Sequence, residues 1–447
     1  MRRDCQKKQG YLTMLASELS LTQRSYYEAS VTRPPVNAAL QGDIRCDVAI
    51  VGAGLAGLSA AIDLAQAGFK VVVLEAKIIG WGASGRNGGQ ALTDVACGIE
   101  KIEKMLGLQA AKHVWQISVE AVDLVKQRIK DHAIECDWQE GYLSGAVNAK
   151  KAAHLMHYAD VLQSRYGYEK LTRISPNEVN EHIASPRFHS ALRDDGAGHV
   201  HPLKFTLGMA KAAQAAGVVI YENTAVTALK HGEPAVLSTA QGSIAATQVL
   251  LAGNVYLGKA VSAKLNRRIM PVGTYIVASE PLGEAQCRAL IPSNAAVCDT
   301  NFVLDYFRFT ADHRCLFGGR VSYTTATPLN LESSMQARMA ATFPALKNAK
   351  IDYAWGGFVD ITANRAPDFG RLETDKTRNV YYLQGFCGHG VALTGMAGRM
   401  VAQAMQGDSE RLDVFARIKH LPFIGGDWLR TPALVLGMQW FKLMDRF

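Results

Sequence analysis

The chain runs to 447 residues, enough for two or three domains, and its 48% hydrophobic against 20% charged residues exclude a disordered chain, a membrane protein and a small disulfide-stapled scaffold. Lys and Arg outnumber Asp and Glu by 48 to 40, a net +8 without blocks of like charge, which favours an anionic small ligand over a nucleic-acid surface. Eight cysteines with no C-x-x-C pair, no export signal and no apolar run of the ~18 residues that a bilayer span needs predict a cytoplasmic protein with reduced thiols and no metal site.

Residues 1–39 are assigned to an N-terminal extension, with Met14 as an alternative start. From Arg45 to Ala76 the pattern is a complete βαβ unit. Val48 to Val51 reads as a short buried strand, Leu55 to Ala67 as a helix closing on Gly68, and Val71 to Leu74 as a second buried strand. Gly52 permits the tight strand-to-helix turn, Gly54 lets the backbone approach a pyrophosphate, and Gly57 lets helix and strand pack closely. The helix N-terminus offers N–H groups and a positive dipole end to phosphates. Glu75 ends the second strand, where a carboxylate accepts the hydroxyls of a ribose that lacks a 2′-phosphate. Ala53, Ala56 and Ala76 are counted with these as cofactor-binding positions.

The loop from Ile78 to Gln90 crowds small residues around Ser84, Arg86 and Asn87 and, with Gly88, Gly89 and Gln90, can lay backbone amides against a large flat anion. A nicotinamide dehydrogenase would continue into further βα units. Here a long helical stretch, Ile99 to Ala133, follows, and that order suits the second cradle a flavin needs. No second strand-linked G-x-G-x-x-G occurs after residue 90, which argues against an NAD(P)H-driven flavin reductase.

His199 and His201 alternate as a metal pair on a strand would, but no third ligand of suitable spacing accompanies them, and Pro202 opens a helix that closes on Gly217. Strands are expected at Val218 to Tyr221 and at Gln248 to Ala252, the latter leading into Gly253 and Asn254. Phe302 to Phe309 and Cys315 to Val321 flank the turn Ala311 to Arg314, a hairpin by spacing. On it Tyr306 and Arg308 share one face, while Asp305, Phe307 and Phe309 take the other. Arg308 is the first choice for holding a substrate carboxylate and Arg320 the second; a solvated strand arginine is the alternative. The apolar tail from Leu421 to Phe447 reads as a docked helix, with an interfacial amphipathic helix as the rival.

The stretch Arg45 to Gln90, with Trp355 to Gly370 and Tyr381 to Val391 far downstream, resembles the D-amino acid oxidase and glycine oxidase superfamily of FAD-dependent amine oxidoreductases. The loop Ala83 to Gln90 and the runs Pro271 to Ile276, Leu316 to Arg320 and Asp427 to Pro432 are similar to its γ-glutamylputrescine oxidase branch. The likeness extends from Ser25-Tyr26-Tyr27 to about residue 440. It implies an α/β chain, α+β overall, with a discontinuous Rossmann-like FAD-binding domain at 40–95, 196–265 and 350–410. A substrate domain built on an antiparallel sheet would take 96–195 and 266–349, and a C-terminal helical tail 411–447.

The resemblance further implies that Val226 meets the adenine through its backbone and that Gly253, Gly388, Gly390 and Val391 belong to the FAD site. His389, between two glycines, would lie along the pyrimidine edge of the flavin as a catalytic residue, where partial positive charge stabilises the reduced ring. FAD should be bound without a covalent link, because sarcosine-oxidase-like relatives attach it through a cysteine in the segment corresponding to Phe358 to Thr362, and Val359 and Asp360 stand there. The activity implied is oxidation of a small amine to an imine, then to an aldehyde or keto product, with hydride transfer to flavin N5 and reoxidation by oxygen or a small acceptor. The first substrate is γ-glutamylputrescine or a similar γ-glutamylated amine; glycine, D-amino acids or N-methyl amino acids are the alternative. A positive field from Arg86 and Arg365 would deprotonate a bound ammonium, so no catalytic base is assigned. A non-enzymatic flavin-binding protein is the remaining possibility.

Overall fold

Val48 and Ile50 point to one side of the strand Gly42–Val51 and Ala49 and Val51 to the other, and all four are buried. A strand buried on both faces must lie inside a parallel sheet covered on both sides. In the computed structural model, which describes residues 25–322, 330–375 and 377–423, that sheet runs in the order Asp368–Leu372, Val380–Gln384, Gly242–Leu251, Gly42–Val51, Val71–Leu74, Val219–Tyr221. The pairs are parallel except at the edge strand Asp368–Leu372. The helices Leu55–Gln66, Pro202–Ala215 and Gly390–Met405 cover the face that carries Val48, Ile50, Val73 and Leu250. Ala49, Val72, Val249 and Leu251 pack on the opposite side against the strand Ala235–Ser238 and its neighbours.

The second sheet has nine strands, and eight of them follow the order Ile351–Thr362, Ile269–Ser279, Cys315–Ser322, Tyr306–Phe309, Ala296–Asp299, Gln139–Ala146, Ser190–His199, Gln90–Ala91. It is antiparallel with one exception, the parallel pairing of Ala296–Asp299 with Gln139–Ala146. Those two strands are far apart in sequence, so no tight turn forces them to run opposite ways. The expected hairpin is present, with Arg308 opposite Leu316. Its inner face carries Phe307, Phe309 and Phe317 into a core with Met335, Met339 and Phe343 of the helix Leu331–Thr342 and the turn after it.

The structure departs from the sequence reading in five places. Residues 25–39, assigned to an N-terminal extension, begin with the helix Tyr26–Ala29, whose Tyr26 and Tyr27 are buried in the body of the protein. The helix expected from Ile99 to Ala133 is two helices, Ile99–Leu106 and Leu108–Asp131, because Gly107 adopts φ +85° between them. The hairpin strand starts at Tyr306 rather than Phe302. Asp305 is drawn out of the strand by Arg187 at 2.6 Å and Arg338 at 2.5 Å, and the residues before it form a loop. The strand Ile351–Thr362 pairs along its length with Ile269–Ser279, so the second sheet continues past the expected boundary at 350. Gln90–Ala91 and Ser190–His199 likewise carry the second sheet into segments assigned to the cofactor domain. Residues 1–24, the side chain of Arg320 and the tail from residue 424 lie outside the described residues. No described helix is long and apolar enough to cross a membrane.

Candidate active site

The carboxyl ends of the parallel strands open into a cleft of about 180 Å³ lined by Gly52, Ala53, Gly54, Ala56, Glu75, Ala76, Ser84, Val226 and Gly253 among others. This is where an open α/β sheet binds its ligand. Gly52 turns with φ +108°, and a Cβ on it would lie 2.7 Å from the carbonyl oxygen of Ala252. Gly57 does not line the cleft; a Cβ there would approach the Gly52 carbonyl oxygen to 2.1 Å, so its part is the packing of helix on turn.

Glu75 accepts hydrogen bonds from the N–H groups of Ala53 and Lys77, both at 2.9 Å, one on each carboxylate oxygen. Burial pushes its pKa up, and neighbouring Glu222 adds to the shift against those two backbone bonds. Each oxygen keeps a lone pair for a ribose hydroxyl. Glu75→Ala should therefore weaken FAD on the order of tenfold or more, from the loss of one or more charge-assisted bonds at about 1.5–3 kcal/mol. Titration of flavin into the deflavinated protein measures this, and unchanged affinity would contradict the ribose role.

The cleft meets a second cavity of about 300 Å³, and Ala83 lines both. Arg86, Asn87, Gly88, Gln90, Gly388, His389 and Val391 line this second space, whereas Gly89 and Gly390 do not. Its remaining wall is mostly apolar, with Val272, Ile276, Phe302, Leu304, Phe358 and Ile361. Neither Asp nor Glu is among the described residues that line it, while two arginines, Arg86 and Arg365, are.

The loop around Asn87 is held from outside. The carbonyls of Arg86, Asn87, Gly88 and Gly89 accept in turn from Trp355 Nε1 at 2.9 Å, the Tyr27 hydroxyl at 2.8 Å, Arg308 Nε at 2.7 Å and the N–H of Val200 at 2.8 Å. Asn87 donates its amide to the carbonyls of Ala83 and Ser84 and accepts from Gly89 N–H at 2.7 Å, so its side chain shapes the loop. Arg86 stacks 4.1 Å from the centre of the Trp81 ring.

Arg308 is a correction to the sequence reading. Its guanidinium is buried, donates to the carbonyls of Gly88 and Val200 and to the Tyr27 hydroxyl, and does not line the cavity. It is a strut for the loop. The shared strand face with Tyr306 is real, but Tyr306 alone reaches the cavity, its ring packed against Gly88 and Gly318.

His389 precedes the sixteen-residue helix Gly390–Met405. Burial pushes its imidazole down to about 4, and Arg365 reinforces the shift, so the ring is neutral near pH 7. Positive character at this edge comes from the helix N-terminus. The glycine turn before it is pinned by Asp360, whose buried carboxylate accepts from the N–H groups of Gly385, Phe386 at 3.1 Å and Cys387 at 3.3 Å.

His199 and His201 each have protein partners. His199 Nε2 bonds the Asn294 carbonyl at 2.9 Å, and His201 caps the following helix by accepting from Lys204 N–H at 3.2 Å. Among the described residues no group of three His, Cys, Asp or Glu could hold a metal ion.

The residues fit an FAD. Ser84 Oγ accepts from Leu55 N–H at the phosphate end of the helix, and a Cβ on Gly54 would come within 2.7 Å of that oxygen. Thr394 lines the cleft with a buried hydroxyl that has no hydrogen-bond partner among the described residues. Reading the sequence assigned no role to Thr394, Tyr27, Trp355 or Asp360. Trp355 and Asp360 stood in a noted motif, but hydrogen-bond partners 269 residues away for Trp355 and 25 to 27 away for Asp360 leave no local signal.

Comparison with known proteins agrees with this geometry. Residues 47–404 match the family described as FAD dependent oxidoreductase, DAO. The chain is 44% identical over 422 residues to gamma-glutamylputrescine oxidoreductase of Escherichia coli (strain K12), covering 94% of this chain and 98% of that protein. The fold is similar to that of glycine oxidase from Geobacillus kaustophilus, with a TM-score of 0.70 at 20% identity over 84% of this chain and 99% of that one. It is also similar to that of L-proline dehydrogenase from P. horikoshii, with a TM-score of 0.69 at 22% identity over 85% and 98%.

Proposed function

We propose that this chain, which belongs to the FAD dependent oxidoreductase (DAO) family, oxidises the primary amine of γ-glutamylputrescine or a similar γ-glutamylated amine to an imine, which water then converts to the aldehyde and ammonia. The observation that carries this reading is the cavity beside the dinucleotide cleft, apolar in most of its wall, with two arginines and no carboxylate among its described lining residues. The substrate class is supported by the 44% identity to gamma-glutamylputrescine oxidoreductase.

When bound, FAD would supply the N5 acceptor for the hydride that leaves the amine-bearing carbon, with oxygen as the proposed final acceptor. Gly52, Gly54, Ser84, Glu75 and Val226 would hold its dinucleotide half, and the loops around Asn87 and His389 its ring. The protein's own contribution is positioning and electrostatics. A cation inside the cavity meets the positive field of Arg86 and Arg365, so the substrate amine is favoured in its neutral, reactive form. Val272, Ile276, Phe358 and Ile361 keep water from the reacting carbon. The cavity thiols are poor nucleophiles, since burial pushes Cys387 up to about 12 and Cys298 higher still. That supports a non-covalent flavin.

An aerobic peroxide assay over γ-glutamyl amines, free polyamines and amino acids tests the reading. Peroxide from γ-glutamylputrescine well above that from putrescine or glycine is expected, with yellow flavin left in the supernatant after acid precipitation. Turnover restricted to glycine or D-amino acids, or flavin that travels with the precipitate, would overturn it.

A further inference from the structure

We infer that Arg365, stacked on Phe302, is the residue that captures the carboxylate of the substrate. This rests on the reading of the cavity as an amine-oxidising site and names its specificity determinant. Arg365 lies in the turn between the strands Ile351–Thr362 and Asp368–Leu372 and lines the cavity. Its backbone is left-handed, φ +59°, a conformation that costs an arginine energy and persists only where neighbours enforce it. Three hydrogen bonds enforce it here: Arg365 N–H to the Thr362 carbonyl at 3.0 Å, Ala366 N–H to Asn364 Oδ1 at 3.1 Å, and the Thr362 hydroxyl to the Ala366 carbonyl at 2.8 Å.

The guanidinium sits 5.2 Å from the centre of the Phe302 ring and makes no ion pair with a carboxylate among the described residues. Phe302 is its aromatic platform. It lies in the loop between Asp299 and Asp305, and Arg187 grips both of these buried carboxylates. The other lining arginine, Arg86, stacks on Trp81 of the dinucleotide cleft and stands at the junction of the two spaces. Arg365 is thus the cation whose aromatic platform belongs to the substrate cavity alone. A planar fork with one face on an aromatic ring keeps its N–H edge for a bidentate carboxylate.

The test compares wild type, Arg365→Asn and Arg365→Lys. Asn tolerates a left-handed backbone, so Arg365→Asn removes the charge and spares the turn. Two measurements are made on flavin-loaded protein: the ratio of kcat/KM for γ-glutamylputrescine to that for N-(4-aminobutanoyl)putrescine, which lacks only the carboxylate, and the Kd of glutarate read from the visible flavin difference spectrum. In Arg365→Asn the ratio should fall about thirtyfold and glutarate should bind about thirtyfold more weakly; Arg365→Lys should recover part of both. The glutarate measurement is independent of turnover, so an Arg365-dependent Kd in a protein that ignores γ-glutamylputrescine rejects the proposed substrate and supports this site. Equal glutarate affinity in wild type and Arg365→Asn, no glutarate binding by wild type, or an equal loss with both amines overturns it.

Discussion

Arg308→Ala should destabilise the protein and loosen its flavin, with substrate recognition affected only as a consequence. The variant removes charge-assisted bonds to the carbonyls of Gly88 and Val200 and to the Tyr27 hydroxyl, at 2.7, 3.0 and 3.2 Å. The two carbonyls are left buried without these donors, and the Tyr27 hydroxyl keeps only its bond to the Asn87 carbonyl, which costs about 1–3 kcal/mol per stranded carbonyl and about 3–5 kcal/mol together. Gly88 belongs to the loop that faces the cavity, so loss of FAD should accompany the fall in thermal midpoint. Thermal unfolding with and without added FAD, together with a flavin titration, measures both. A rise in KM confined to carboxylate-bearing substrates, at unchanged stability and flavin affinity, would restore Arg308 to the substrate.

The same guanidinium helps explain an acid sensitivity. Burial, reinforced by the charge of Arg308, holds His199 and His201 each down at about 3. Folded pKa values below the ordinary 6.5 mean that their contribution is fully present above 6.5 and is lost as pH falls towards 3.

Asp360→Ala should be the second severe variant. Its carboxylate holds the N–H groups of Gly385, Phe386 and Cys387, the turn that leads to His389 and the helix N-terminus. Removing it strands these buried donors, again at about 1–3 kcal/mol each, and the flavin should weaken on the order of tenfold or more because Cys387, Gly388 and His389 line its cavity. The pH dependence carries a distinct sign. Burial raises Asp360 from 3.8 to about 6 despite its backbone bonds. A raised folded pKa means stability that is fully present below 3.8 and lost as pH rises through 6. The stability gap between wild type and Asp360→Ala should therefore narrow by up to about 3 kcal/mol from pH 4 to pH 7, as measured by denaturant unfolding at several pH values. A gap that widens over this range would show that the backbone donors outweigh burial and hold the carboxylate ionised.

Much of the cofactor site is local chemistry, and local chemistry is legible along the chain. The turn from Gly52 to Gly57, the buried strands on either side and Glu75 at the end of the second lie within one βαβ unit whose period and glycine spacing state its geometry. The alternation that set Phe307 and Phe309 against Arg308 was likewise readable, because side chains on a strand alternate by necessity.

A strand face, however, says which way a side chain points and nothing about what it meets. Arg308 points as expected, yet Gly88 and Tyr27 reach it before any substrate can, and both come from parts of the chain more than two hundred residues away. The second sheet decided its own extent in the same way: Ile351–Thr362 joined Ile269–Ser279 by long-range pairing, and Ala296–Asp299 found a parallel partner that no turn prescribes. Arg365 and Asp360 stood in a noted segment, but only the folded chain sets one over Phe302 and the other under three backbone donors. The sequence by itself determined the dinucleotide cleft, because strand, turn and helix there are neighbours in the chain. Tertiary structure alone decided which arginine braces the loop at Gly88 and which lines the cavity, because that depends on partners brought together only when the two sheets close on each other.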